Sequence, residues 1–319
     1  MTDRKLNDSP LDGAVKVIET AARVRRLVLE KTLQNQGGYL SQACSAADIL
    51  VTLYLRLMNL GPSTAPWVPR PFAGAPGPGN PHSFTGAGYN GPKAPDLDRF
   101  IFSPVHYALV LYALLIEVGR LAPEALEQFN RDGSTLELIG AEHSPGHEVT
   151  AGSLAQAISQ AGGIALARKL RAETGRVWVF MSDGEFQEGQ TWEALAAATF
   201  HKLDNLRIFV DVNGHQCDGR MDGVMGVEPL LQRLLSFGID ALEVDGHDVE
   251  ALAAAGTKVK PGCPLVVLAR TDPCRGIELL RQRPGKLHYI RFRDEAEYRA
   301  YEQVLAGMEE EIGRLAWRS

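Results

Sequence analysis

Residues 177–214, VWVFMSDGEFQEGQTWEALAAATFHKLDNLRIFVDVNG, decide the reading of the whole chain. The stretch opens on a short apolar run, Val177 to Met181, that stops at Ser182-Asp183-Gly184 and reads as a buried strand. A helical pattern follows from about Glu188 to His201, and a second apolar run, Leu206 to Val210, ends in Asp211-Val-Asn-Gly214. Strand, helix, strand is one βαβ unit, whose strands lie parallel and close together. Two further runs, Ala241 to Val244 and Leu265 to Leu268, continue the alternation. The expected fold class is therefore α/β, a mostly parallel sheet with helices on both faces.

Upstream, Val17, Ala21, Val24 and Val28 recur at helical spacing, and Ile49, Leu50, Leu53, Tyr54 and Leu57 form a second such pattern. Residues 61–95 are too rich in Pro and Gly for helix or strand and unusually long for a plain connection, which makes them a linker, a lid or a docking arm. Tyr107 to Val118, Pro123 to Phe129 and Ser153 to Lys169 read as helical. No internal repeat, low-complexity tail or second core is evident. A single domain over residues 1–319 is expected, with a loop insertion at 61–95 and an irregular C-terminal extension at 282–319.

The chain has 319 residues, 45% hydrophobic and 23% charged, and a formal net charge of -6, as in ordinary globular proteins able to bury a sizeable core. Its densest basic cluster, Arg23, Arg25 and Arg26, reads as a solvated helix face, so nucleic acid is not an expected partner. Cys44, Cys217, Cys263 and Cys274 form neither a C-x-x-C pair nor a zinc spacing. The N-terminus lacks the apolar core of a signal peptide, and no run is long and apolar enough for a membrane helix. A cytoplasmic location without membrane contact is the expectation.

In an open parallel sheet the ligand lies beyond the carboxyl ends of the strands, and Asp183 and Asn213 both fall there. A carboxylate, a carboxamide oxygen and a backbone carbonyl are hard oxygen ligands, suited to Mg²⁺ bridging a diphosphate. Gly184 and Gly214 would let the backbone approach phosphates without a Cβ in the way. Asp-Gly alone is also a common turn, so the pair of strand ends carries the signal. No G-x-G-x-x-G or G-x-x-x-x-G-K follows a strand, which excludes the usual nucleotide sheets.

The segment Ser182 to Gly219 closely resembles the thiamin-diphosphate fingerprint of the transketolase family. There a Gly-Asp-Gly-Glu start and a late Asn bracket a Glu-Gly…Trp-Glu-Ala helix and a Lys-Leu-Asp-Asn-Leu turn. Gly152-Ser-Leu-Ala-Gln156 resembles the family's Gly-Ser-Leu-Gly-Gln turn, Ser103-Pro-Val-His-Tyr-Ala108 its Ser-x-Gly-His-Ala motif, and Asp245-Gly-His-Asp248 a strand-end motif. The resemblance covers roughly residues 14 to 290 and implies the thiamin-diphosphate-binding fold. It implies Mg²⁺ held by Asp183, Asn213 and the backbone carbonyl of His215, leaving the His215 ring solvated. Ser182, Gly184 and Glu185 would line the diphosphate, and Gly152, Ser153 and Leu154 the organic part of the cofactor. His106 would reach the diphosphate region, or be a satisfied helix-start histidine. His288 would match a histidine that closes over the cofactor, although its neighbours differ. Glu188 would lie at a subunit contact, or simply suit a helix start. His143 lies near a family Gly-His-Pro histidine with a shorter spacing to Pro145, so substrate contact and loop residue both stay open.

In the family, a glutamate that protonates the aminopyrimidine comes from a second, pyrimidine-binding domain of a different polypeptide. The chain ends at Ser319 before such a domain, so the resemblance implies a separate pyrimidine-binding subunit and an α₂β₂ heterotetramer. Three departures bear on the substrate, a ketose or a 2-oxo acid. Tyr39 stands where a histidine near the reacting carbon is usual, and a phenol shuttles protons less readily near neutral pH. Val105 and Ser182 replace glycines. The expected function is transfer of a two-carbon ketol unit with an atypical substrate. The alternatives are a subunit of a decarboxylating 2-oxo acid enzyme or carboligase, and a catalytically silent cofactor-binding regulatory subunit.

Overall fold

The computed structural model describes residues 10–75, 77–283 and 285–316. The chain begins with α1 (Pro10–Gln34), β1 (Gly37–Gly38) and α2 (Ser41–Thr52), which continues as one π turn (Leu53–Leu57). After the Pro/Gly segment come β2 (Arg99–Phe102), α3 (Ala108–Glu117), α4 (Gln156–Leu170), β3 (Val177–Ser182), α5 (Gly189–Phe200) and β4 (Leu206–Val212). A small hairpin, β5 (His215–Gln216) and β6 (Gly219–Arg220), leads to α6 (Met221–Val224) and α7 (Leu230–Ser236). The chain then runs through β7 (Asp240–Asp245), α8 (Val249–Thr257), β8 (Leu265–Arg270), β9 (Ile290–Arg291) and α9 (Glu295–Ala316).

Five of the strands form one parallel sheet in the order β2-β3-β4-β8-β7. Side chains alternate across it with period two. Trp178, Phe180 and Phe209 enter a core closed by α1, α2, α3, α8 and α9, while Val179, Met181, Ile208 and Val210 enter one closed by α4, α5 and α7. Burial on both faces is why β3 and β4 read as continuous apolar runs rather than alternating ones. Each of these fully buried aromatics contributes about 2–3 kcal/mol of transfer free energy.

Four expectations are corrected. β2 was not anticipated, because its four residues pair only with β3 at the sheet edge and Arg99 breaks the apolar run to meet the buried Glu148. Residues 295–316 form a helix instead of an irregular extension, with Tyr298, Tyr301, Val304, Leu305 and Met308 at helical spacing in the first core. Arg25 is not on a solvated face: it is 6% exposed, ion-paired with the buried Asp48, and donates to the Cys44 carbonyl at 3.0 Å. The Pro/Gly segment is strapped to its neighbours, with Phe72 N–H donating to Gly133 O at 2.8 Å and Gly86 N–H to Glu142 O at 2.7 Å. A Cβ on Gly86 would lie 1.7 Å from the Ser144 carbonyl oxygen, so only glycine lets the strap seat. All four cysteines are free. Among the described residues no helix is long and apolar enough to cross a membrane.

Candidate active site at the carboxyl edge of the sheet

Ser182 pairs with Asp211 across β3 and β4, so Asp183 and Asn213 leave the sheet at adjacent points. Ser182 caps a 3-10 turn, Asp183–Gln187, through a capping box in which the Glu185 carboxylate accepts the Ser182 N–H at 2.8 Å. Across from it Gly214 adopts φ +70°, a left-handed turn that disfavours a Cβ, and its N–H donates to Asp183 Oδ2 at 2.8 Å. The Gly214 amide therefore positions Asp183 rather than meeting a phosphate.

Asp183 is 2% exposed, and its second oxygen, Oδ1, is buried without a partner. Burial, and then the nearby Asp211 carboxylate, push the Asp183 carboxyl up to about 8. Asn213 donates both amide hydrogens, to Tyr107 Oη and Asp211 Oδ2 at 3.0 Å each, which leaves its Oδ1 on the other side, accepting from His215 N–H at 2.9 Å. Asp183 and Asn213 open into a cavity of about 260 Å³ that neither Lys nor Arg lines.

A divalent cation and a diphosphate fit this corner. Two buried carboxylates lie close together with no cationic side chain hydrogen-bonded to either, and one carboxylate oxygen is orphaned, an arrangement that a metal ion relieves. Among the described residues no cluster of three or more His, Cys, Asp and Glu forms, so a cation here takes a carboxylate, an amide oxygen and backbone or solvent oxygens, a donor set suited to Mg²⁺. A Cβ at Gly184 would meet only Gln216 Cβ at 4.0 Å, which leaves open space above the turn.

The opposite wall is aromatic. β1 pairs antiparallel with β9, Gly38 against Ile290, which brings Tyr39 to His288 and Tyr289. The Tyr39 ring makes edge contacts with His106, His288 and Tyr289 at centroid distances of 5.5, 5.3 and 4.9 Å. Gln42 Nε2 donates to the His288 carbonyl at 2.9 Å and Ser41 Oγ to that of Leu287 at 2.9 Å, so α2 fixes this edge. Burial, then the neighbouring His288, holds His106 down at about 3; burial also lowers His288 and raises Tyr39. Around pH 7 the wall thus presents neutral imidazoles and a neutral phenol, each offering directed hydrogen bonds without charge. Gly152, Leu154, Val105 and Ile139 also line the cavity, with Gln187, Gln216 and Cys217.

Of the candidates from sequence, Tyr39, His106, Gly152, Leu154, Ser182, Asp183, Gly184, Asn213, His215 and His288 all line this one cavity. His215 differs from expectation in its ring: it is half-buried, and Nδ1 is buried without a partner. Glu185 lies beneath the cavity, fully buried, where its carboxylate ties Ser103, the Ala155 N–H at 3.1 Å and Ser182 together. Ser153 and Glu188 are exposed and outside the lining. His143 is also outside; it packs on Phe72 with centroids 4.5 Å apart, and its Nε2 is 3.0 Å from Glu137 Oε2, as a loop residue does. Sequence reasoning missed Gln42, Tyr107 and Asp211. For Asp211 a signal existed, a lone acid at the end of an apolar strand.

The family described as "Transketolase, thiamine diphosphate binding domain" matches residues 84–272. A transketolase family protein, y4mO, of Sinorhizobium fredii is 32% identical over 92% of this chain and 97% of its own length. The 6-deoxy-6-sulfo-D-fructose transketolase subunit SqwG of Clostridium sp. is 30% identical over 79% of this chain and 83% of its own. Transketolase from Campylobacter jejuni superposes with a TM-score of 0.68 at 22% identity over 95% of this chain, a likeness of fold. The chain spans about half, 48%, of that solved transketolase.

Proposed function

The chain belongs to the transketolase family, and on that premise we propose that it is the diphosphate-binding subunit of a split, thiamin-diphosphate-dependent transferase that moves a two-carbon ketol unit. The carrying observation is the orphaned Asp183 Oδ1 and the oriented Asn213 Oδ1, on two residues that line one cavity without lysine or arginine. Asp183, Asn213 and the backbone at His215 would hold Mg²⁺, with Ser182 and Gly184 facing the diphosphate and Gly152 and Leu154 the organic rings. When bound, thiamin diphosphate supplies a carbanion nucleophile and an electron sink for cleavage beside a ketone carbonyl.

This chain's own residues orient and shield. His106 and His288, neutral at working pH, line the cavity with uncharged rings, and Gln42 Nε2 lies 3.4 Å from His288 Nδ1. Tyr39 is the candidate for holding a proton near the reacting carbon. Its phenol has no hydrogen-bond partner among the described residues, and burial keeps it protonated. Leu154, Val105 and Ile139 give the cavity apolar lining.

A separate partner subunit supplying the pyrimidine-binding half is part of this reading. It is supported by the subunit from Clostridium, 83% of which this chain covers. Ile139, Val224 and Met225, left exposed at or beside the rim, offer such a partner an apolar surface. The α₂β₂ assembly, the cytoplasmic location and an atypical donor or acceptor belong to the same proposal. The second reading, within the same cofactor chemistry, is a subunit of a decarboxylating 2-oxo acid enzyme or carboligase.

Co-expression with the pyrimidine-binding subunit, followed by a screen of ketose and 2-oxo acid donors with thiamin diphosphate and Mg²⁺, tests the proposal. Ketol transfer to an aldehyde without gas release is expected. Stoichiometric CO₂ from a 2-oxo acid that lacks a 3-hydroxyl group, with no ketol transfer from any ketose, would overturn it in favour of the second reading.

A further inference from the structure

Asp211 is a carboxylate in the core, outside the lining of the cavity. It lies at the end of β4, is 0% exposed, and receives four hydrogen bonds from four segments of the chain. Ser45 Oγ on α2 donates to Oδ2 at 2.7 Å, Tyr107 Oη at 3.0 Å and Asn213 Nδ2 at 3.0 Å, while Thr271 Oγ1, beyond β8, donates to Oδ1. Every donor is neutral. A fully buried carboxylate held only by neutral donors lowers stability relative to an apolar residue of similar size, so its presence calls for a use.

The hydrogen count supplies one. Tyr107 has a single hydroxyl hydrogen, and it goes to Asp211. Toward Asn213 the same oxygen can therefore only accept, and Asp211 can only accept as well. The group of Asn213 that faces both must be its NH₂, which forces Oδ1 to the opposite side, toward the His215 N–H. A flipped amide would set its oxygen against the Asp211 carboxylate and a Tyr107 lone pair. Asp211 is also a second carboxyl group close enough to Asp183 to act on it, with no cationic side chain hydrogen-bonded to either.

We propose that Asp211 is the positioning residue of the divalent-cation site, locking Asn213 with its oxygen toward the cavity and setting cation affinity without contacting the ion. The proposal rests on Asp183 and Asn213 as the cation's side-chain ligands. Removal of a partner one step behind a metal ligand weakens affinity by about tenfold to a hundredfold, and that is the range expected.

The test is Mn²⁺ binding to the full chain with saturating thiamin diphosphate, read from the electron-paramagnetic-resonance signal of free Mn²⁺, alongside unfolding in EDTA. Asp211→Asn and Tyr107→Phe are expected to weaken Mn²⁺ by about tenfold or more. Thr271→Ala removes only the donor to Oδ1, leaves the Asn213 lock in place, and is expected to bind within about twofold of the unaltered chain. Tyr107→Phe keeps the ring and serves should Asp211→Asn fail to fold. Absence of Mn²⁺ binding by the unaltered chain would remove the ligand assignment beneath the proposal. Normal binding by the unaltered chain and by Tyr107→Phe alike would overturn the positioning role while leaving the ligand assignment standing. Equal weakening by Thr271→Ala and Tyr107→Phe would also overturn it, as a general loosening of the strand ends.

Discussion

Asp183→Asn is expected to stabilise the metal-free chain at neutral pH while abolishing its cation site. The Asp183 carboxyl is raised from 3.8 to about 8, chiefly by burial. A carboxyl whose folded value is raised favours the folded state fully below the unfolded value, and this contribution is lost as pH rises toward the folded value. Between the ordinary 3.8 and pH 7 the folded chain keeps a proton that the unfolded chain has released, which at 1.36 kcal/mol per pH unit removes about 4 kcal/mol of stability. Asparagine has no such proton to hold. Its amide can still accept from Gly214 N–H, but its NH₂ takes the place of the orphaned Oδ1 and stays unpaired, at a cost of about 1–3 kcal/mol. The variant should therefore be about 1–3 kcal/mol more stable than the natural chain at pH 7, and less stable by a similar amount near pH 4. Urea unfolding in EDTA at both pH values measures this. Addition of Mg²⁺ and thiamin diphosphate should then raise the midpoint of the natural chain alone. Equal destabilisation at both pH values would refute the reasoning, because it would mean that Asp183 is an ordinary satisfied carboxylate in the folded chain.

Glu185→Ala leaves the buried N–H groups of Ser182 and Ala155 without acceptors, at about 1–3 kcal/mol each, so it should destabilise by about 2–6 kcal/mol. An unfolding free energy within about 1 kcal/mol of the natural chain would contradict it. Gly86→Ala puts a Cβ 1.7 Å from the Ser144 carbonyl oxygen and should detach the 61–95 strap, seen as faster limited proteolysis there; unchanged cleavage would show that the strap seats without Gly86. Tyr39→Phe keeps the aromatic wall, so cofactor affinity should stay within about twofold while kcat with the partner falls about tenfold. An unaltered kcat would take the phenol out of proton transfer.

The βαβ unit and the pairing of Asp183 with Asn213 were determined by the sequence alone. Both depend on local periodicity and on the rule that consecutive strands of such a unit lie parallel and close, so residues at their carboxyl ends must meet. The aromatic wall was decided by tertiary structure. Tyr39, Gln42 and His288 belong to opposite ends of the chain, and only the β1–β9 ribbon and the Gln42–His288 hydrogen bond, 246 residues apart in sequence, bring them to the same cavity. The same holds for Asp211, whose neighbours Ser45, Tyr107 and Thr271 come from α2, the turn before α3 and the end of β8. Arg25 and Glu185, both charged and both buried, were misplaced for the same reason. A charged residue's burial depends on partners that the fold brings from elsewhere, Asp48 for one and Ser103 with Ala155 for the other. Periodicity reports which face a residue takes on its own element. Which element lies opposite is settled by the packing of the whole chain.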